Sequence, residues 1–362
     1  ITGLDLVLWQ LRVASGEPLP LKQEELRIHG HAIEARICAE NPDANFLPAT
    51  GRLDIARWPA HVAFERADDL PRVDTGFVEG DTISPHYDSM IAKLIVWGAD
   101  REQALARLDA ALAATHIVGL QTNVAFLRRV ARSRSFAQAD LDTALIERER
   151  AALFGQPALA LEIAAAGVIA HELAHERAAE TADPWSKRDG WRLHGAAVRR
   201  FDLEAEGTQH VARLTRSHRG ETTLSLGEHS WAFGVASRSS TQHDVTLAGR
   251  RWTLSVYAAG ERFAVFAPEG SATLHIVDPI AHAGDAAGEG GRLTAPMPGK
   301  LIALLAKSGE AVKKGQPLAV MEAMKMEHTI TAPRDGTVTE LLYAVGDQVL
   351  EGEELLRLEA AA

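Results

Sequence analysis

Two short stretches carry side chains whose type and spacing could do chemistry. The first is VMEAMKMEHT, Val320–Thr329, where Lys325 stands between Met324 and Met326. A lysine ends a long flexible stem in an amine that can be acylated, with loss of its charge. The second is HELAH, His171–His175, which satisfies H-E-x-x-H. On a helix this spacing sets His171 and His175 one turn apart as zinc ligands, with Glu172 as the general base of a hydrolysis. A third ligand is not supplied in the extended form of that motif. Ala178 and Thr181 stand where glycine and histidine belong. Five-residue motifs of common residues recur by chance. The alanine-rich stretch 156–180 therefore reads as a helix whose HELAH face is solvated.

The elements that must position Lys325 form an internal repeat. TAPMPGKLIALLAKSGEAVKKGQPLAVME, Thr294–Glu322, aligns without a gap on TAPRDGTVTELLYAVGDQVLEGEELLRLE, Thr331–Glu359, at an offset of 37 (331 − 294). Thr-Ala-Pro, Gly309/Gly346, Val312/Val349, Gly315/Gly352, Leu318/Leu355 and Glu322/Glu359 coincide. Short apolar runs punctuated by glycine and proline predict strands. Two copies related by a pseudo-twofold would close a small sandwich, each covering the other. The link Ala323–Ile330 is expected to be a hairpin with Lys325 near its tip. Tight hairpins prefer Asn-Gly, Asp-Gly or Gly-X, which tolerate positive φ. This one offers Ala-Met-Lys-Met, a breach of local turn chemistry of the kind found at functional sites. Exposed methionines are costly unless something reads them.

These residues carry a resemblance. APMPGK (Ala295–Lys300), GEAVKKGQPL (Gly309–Leu318) and EAMKMEH (Glu322–His328) resemble the biotin carboxyl carrier domain of biotin-dependent carboxylases. The resemblance implies that Lys325 is amide-linked to biotin, flanked by Met324 and Met326. It also implies a biotin protein ligase as a partner. Lipoyl domains share the hairpin lysine, usually with an Asp-Lys-Ala type tip, and are the near alternative.

A second resemblance lies at the other end. GHAIEARICAENP (Gly30–Pro42), FLPATGRL (Phe46–Leu53), VDTGFVEGDTISPHYDSMIAKLIVWG (Val73–Gly98) and VGLQTNVAFL (Val118–Leu127) are similar to the C-terminal subdomain of biotin carboxylase. Within it, Ile91–Trp97 predicts a strand and Arg101–Ala114 a helix. The family's arginine that faces the ureido ring of biotin falls on Arg36, and Asp88 would orient it. A guanidinium stays charged and can hold the negative charge that develops on the ureido oxygen. From the residues alone Arg36 reads as an ordinary salt bridge. No Gly-rich phosphate loop or Walker motif occurs. The family's ATP-binding lysines, metal-binding glutamates and bicarbonate motif fall upstream of ITGLDLVLWQLRVASGE, which reads as a helix entered partway through a domain. The chain is expected to be part of a longer polypeptide. ATP and Mg would act in the complete subunit, and this stretch alone would not carboxylate biotin.

Between the two ends, after DPWSKRDGWR (Asp183–Arg192), short alternating runs separated by glycines 220, 227, 249, 260 and 270 predict an antiparallel barrel. Helix then barrel fits the domain that docks α subunits of acyl-CoA carboxylases onto their carboxyltransferase β subunit, most like the methylcrotonyl-CoA branch. Geranyl-CoA and propionyl-CoA carboxylases are the alternatives. The segment 278–291, DPIAHAGDAAGEGG, is small, polar and glycine-rich and reads as a tether. Fourteen such residues have a span of roughly 20 Å and extend to about 50 Å.

The totals fit. The chain has 362 residues, 46% hydrophobic and 24% charged, with net charge −11. That charge disfavours nucleic acid and anionic membranes as partners. Cys38 is the only cysteine, so no intrachain disulfide forms and a reducing compartment is expected. That compartment is the cytoplasm, or the mitochondrial matrix in a eukaryote. The expected fold is multidomain. An α+β biotin carboxylase C-terminal subdomain (1–150) precedes a helix plus antiparallel β-barrel (151–277), the tether (278–291) and a small all-β barrel-sandwich carrier (292–362). The resemblance implies a large α–β hetero-oligomer.

Overall fold

The computed structural model describes the chain except residues 66, 68, 156–158, 191, 278–291, 296, 297, 324, 325, 351, 361 and 362. The chain divides into two compact units, Ile1–Ile83 with Ser89–Gly155, and Ser84–Asp88 with Gln156–Ala362. Each is described by itself.

The first unit is built on a three-stranded antiparallel sheet ordered His31–Cys38, Met90–Gly98, Arg72–Thr75. Side chains alternate across a strand. Ala35, Ile37, Leu94, Val96 and Val73 are buried on one face, and Glu34 and Arg36 are exposed on the other. The helix Arg101–Ala113 covers the buried face with Ala104, Leu108, Ala111 and Leu112. Asp100 caps it, accepting from the Gln103 N–H at 2.8 Å. A Cβ on Gly98 would sit 2.4 Å from the Ala104 nitrogen, so the strand-to-helix corner closes only around glycine. The expected N-terminal helix runs over Leu6–Ala14 and buries none of its residues.

In the second unit eight strands close a barrel: Ala197–Ala205, Thr208–Arg216, Thr222–Leu226, His229–Ser237, Gln242–Leu247, Arg250–Ala259, Arg262–Ala267 and Gly270–Ile276. Each pairs antiparallel with the next, and Leu203↔Ile276 closes the ring. The preceding helix, Leu161–Ala178, buries seven consecutive residues, Ala164–Ala170. Two turns buried on every side mean a helix that is surrounded. All eight strands contribute to the apolar cluster around it, from Phe201 and Leu203 to Leu274. Small residues make this fit. A Cβ on Gly167 would meet Val265 Cγ1 at 2.9 Å and Leu254 Cδ1 at 3.1 Å.

The doubled segment forms two four-stranded sheets. Copy one supplies Gly299–Leu304, Ala311–Val312 and Pro317–Ala323; copy two supplies Gly336–Leu341, Gln348–Val349 and Glu354–Ala360. Every boundary differs by the 37 of the sequence offset (336 − 299). The copies exchange strands. Ala311–Val312 pairs in the second copy's sheet and Gln348–Val349 in the first's. Neither copy is therefore a complete sheet without the other. The segment 278–291, expected to be a tether, lies outside the described residues.

Candidate functional site

Arg36 projects from the outer face of the sheet with its side chain 70% exposed. Its Nε stands 3.3 Å from Glu34 Oε1. An exposed pair of this kind contributes about 0–1 kcal/mol, so Glu34 does little to hold the guanidinium. Directly across the ladder lies Lys93, and beyond Lys93 lies Asp74. Residues directly opposite share a face, and like charges opposite one another are destabilising. Each cation also has a carboxylate on that face, Glu34 beside Arg36 and Asp74 opposite Lys93. Asp74 is nearly buried and is held by Arg72 at 2.6 Å and by the Phe64 N–H at 2.9 Å. Arg72's hydrogen bonds outweigh burial and, with the Phe64 N–H and the Lys93 charge, keep the Asp74 carboxyl below the usual range.

The backbone under Arg36 is fixed by groups far away in sequence. The Asn123 amide accepts from the Cys38 N–H at 2.9 Å and donates to the Arg36 carbonyl at 3.1 Å. Ser89 donates to Glu40 Oε1 at 2.5 Å, and its carbonyl accepts from the Ala39 N–H at 2.8 Å. Asp88 is exposed in the turn that precedes the strand Met90–Gly98.

Lys325 and Met324 lie outside the described residues. The ladder around them is described. Pro317–Ala323 pairs with Met326–Thr331 up to Ala323↔Met326. The link is shorter than expected, because Met326–Ile330 belongs to a strand. Two residues separate the paired positions, and one is the lysine. Met321 and Leu318, both fully buried, anchor the first strand of this ladder in the sandwich. A primary amine at the end of a braced ladder suits an amide-linked group.

The HELAH stretch is not the solvated face its composition suggests. His175 is exposed, but His171 packs on the barrel. His171 Nδ1 lies 3.3 Å from Nε2 of His243, whose Nδ1 meets Ser237 Oγ at 3.0 Å. The two rings meet edge to face at 5.5 Å between centroids. Burial, then the neighbouring His171, lowers His243 to about 4, and burial and His175 lower His171. Glu172 and Glu176 are held by Arg199, at 4.0 and 2.5 Å. Among the described residues no group of three His, Cys, Asp or Glu side chains is placed to hold a metal.

Lys93 and Asn123 were missed as site residues. Both stand inside motifs quoted above, but alternation and spacing do not reveal a cross-strand register or an amide's distant partner.

Three families match the chain in order. They are described as biotin carboxylase C-terminal domain over 34–148, methylcrotonyl-CoA carboxylase alpha-subunit BT domain over 158–279, and biotin-requiring enzyme over 291–358. Among curated proteins, the mitochondrial methylcrotonoyl-CoA carboxylase subunit alpha of Dictyostelium discoideum is 36% identical, over 91% of this chain and 49% of that protein. Its Mus musculus counterpart is 36% identical over 91% and 47%. The mitochondrial propionyl-CoA carboxylase alpha chain of Homo sapiens is 33% identical over 91% and 46%. The chain spans about half the length of the curated relatives it matches.

Proposed function

The chain belongs to the biotin-dependent carboxylases, and on that premise we propose that it works within the biotin-bearing alpha subunit of an acyl-CoA carboxylase, with 3-methylcrotonyl-CoA as substrate. The observation that carries the reading is the order on one chain. A sheet presenting Arg36, a helix threaded into a barrel, and a doubled sandwich whose copies meet at Lys325 follow one another. The proposed division is 1–150, 151–277, 278–291 and 292–362.

Lys325 would hold biotin through an amide, and the bound group would supply a ureido nitrogen able to accept a carboxyl group and pass it on. Arg36 would hold the negative charge that develops on a ureido oxygen brought to this face. Lys93 strengthens the positive potential on the same face. Asp88 has a supporting role toward Arg36. Met324 and Met326 flank the lysine where the ligase and the two active sites must recognise it. ATP and Mg would act in the complete subunit.

Carboxyl transfer takes place on a carboxyltransferase beta subunit, in a large hetero-oligomer. The helix-and-barrel segment docks it. Trp185, 95% exposed, supports this role. It sits on a braced turn, where Asp183 accepts from the Trp185 N–H at 2.9 Å and Ser186 Oγ accepts from the Thr181 N–H at 2.9 Å. An exposed aromatic presented on a braced backbone is the kind of residue that anchors interfaces. Among the described residues no helix is long and apolar enough to cross a membrane. The proposed compartment, from the single cysteine, is the cytoplasm, or the mitochondrial matrix in a eukaryote.

An avidin blot of protein made in a biotin-replete host tests the reading, with Lys325→Ala beside it. A signal that vanishes in the variant is expected. No signal in either, with an active ligase present, would overturn the carrier assignment. A sulfur-containing lipoyl adduct on Lys325, read by mass spectrometry, would replace it. The acyl preference is tested by assaying the co-purified beta subunit against methylcrotonyl-, geranyl- and propionyl-CoA.

A further inference from the structure

We propose that Asn123 is a positioning residue for Arg36, acting as a one-residue substitute for a neighbouring strand; this rests on the role given to Arg36 above. Asn123 occupies the N-cap of the helix Val124–Arg132. Asparagine is favoured there because its side chain accepts from the first free helix N–H groups. Here it makes no such cap. The amide is turned instead to the free edge of His31–Cys38. Its Oδ1 accepts from the Cys38 N–H at 2.9 Å, its Nδ2 donates to the Arg36 carbonyl at 3.1 Å, and its own N–H donates to the Cys38 carbonyl at 3.2 Å. The residue is 7% exposed. Only one orientation of the amide satisfies both groups, since the oxygen must face the N–H and the nitrogen the carbonyl.

The place of the clamp matters. On the strand's other edge the register with Met90–Gly98 slips between Ile37 and Cys38. A bulge re-aims the side chains beside it and leaves the ladder locally weak. Asn123 bonds the residues on both sides of that slip, so it sets the peptide from which the Arg36 side chain departs. Glu34 cannot do this, being an exposed partner on the same strand. A small rotation of the Arg36 peptide would swing the guanidinium by about 1 Å, a displacement that can cost about 100-fold in rate. Asn123 is therefore placed to act through the arginine without touching substrate.

The first arm of the test is hydrogen–deuterium exchange on this chain. Asn123→Asp keeps the side-chain shape and the acceptor toward Cys38 but faces the Arg36 carbonyl without a donor. Asn123→Ala removes both. Local exchange over 36–38 is expected to rise about tenfold in the alanine variant, the scale of one lost buried hydrogen bond, with the barrel strands unchanged. Unchanged exchange over 36–38 would overturn the clamp.

The second arm uses the complete subunit and measures ATP-dependent carboxylation of free biotin. Either Asn123 variant is expected to lower kcat about 10- to 100-fold, with KM for ATP unchanged. In an Arg36→Ala background the same substitution is expected to add less than about twofold, because coupled residues are non-additive. A loss that multiplies fully in that background would overturn the proposal and leave Asn123 a structural seal. A kcat unchanged by Asn123→Asp while Arg36→Ala is crippled would overturn it too. If Arg36→Ala itself leaves kcat unchanged, the reading of the arginine falls first, and the role of Asn123 with it. Should Asn123→Ala fail to fold, the aspartate variant carries the second arm, since it keeps the acceptor that protects the Cys38 N–H.

Discussion

His171 and His243 meet inside the barrel with one nitrogen of each ring facing the other, so one ring donates and the other accepts. A second proton would set two N–H groups against each other in a site with little water. His243 is held down to about 4 from an ordinary 6.5. The folded chain therefore refuses a proton that the unfolded chain takes up below 6.5. Stability from this group is complete above pH 6.5 and falls as pH drops toward 4, by on the order of 2–3 kcal/mol. Ser237 and the Phe263 ring pack against the pair, and His175 acts on His171 electrostatically. Denaturant midpoints of the barrel transition, measured from pH 7.5 to 4.5, are expected to fall with acid and to fall less in His243→Gln. Parallel curves would show that the pair does not set the slope. None of this was legible in HELAH, because His243 lies 72 residues from His171 and helical periodicity says nothing of a strand that packs later. Arg36 was legible only through its resemblance, for an exposed arginine beside a glutamate has no signature of its own.

At the scale of the element, strand boundaries in the doubled segment were readable because a gapless repeat forces equal elements at equal offsets. The barrel's strands were readable from alternation and turn glycines. Its enclosure of the preceding helix was not, although the cause stands in the sequence: a run of alanines around Gly167 leaves a cylinder thin enough to enter. Gly167→Leu is expected to lower barrel stability by about 1–3 kcal/mol through overpacking, despite leucine's better helix propensity, and a thermal melt checks it. Trp185→Ala is expected to leave the melt unchanged, since the side chain is almost wholly exposed. It should weaken capture of the beta subunit at least tenfold, in keeping with the loss of an aromatic anchor. Capture at the original affinity would move the docking site elsewhere on the barrel.

For the whole molecule, the proposed division predicts that limited proteolysis cuts within 278–291 and releases a C-terminal fragment that keeps the avidin signal. Recovery of that signal only on the intact chain would place the boundary elsewhere. The order of the parts was readable from the sequence, because each end carries dense motifs. The fragment's pseudo-symmetry has a further meaning. Subtracting 37 from Thr329–Thr331 gives Arg292–Thr294, and the pairings correspond: Ile330↔Ala319 becomes Leu293↔Leu356, and Thr331↔Pro317 becomes Thr294↔Glu354. The fold thus has two equivalent ladder ends. One is bridged by Met324 and Lys325. The other lies where the described strands Arg292–Thr294 and Glu354–Ala360 meet. On the proposed reading, biotin would be carried at one of these ends and the link from the barrel would enter at its twin. Mooring and cargo would then occupy different ends of the paired ladders.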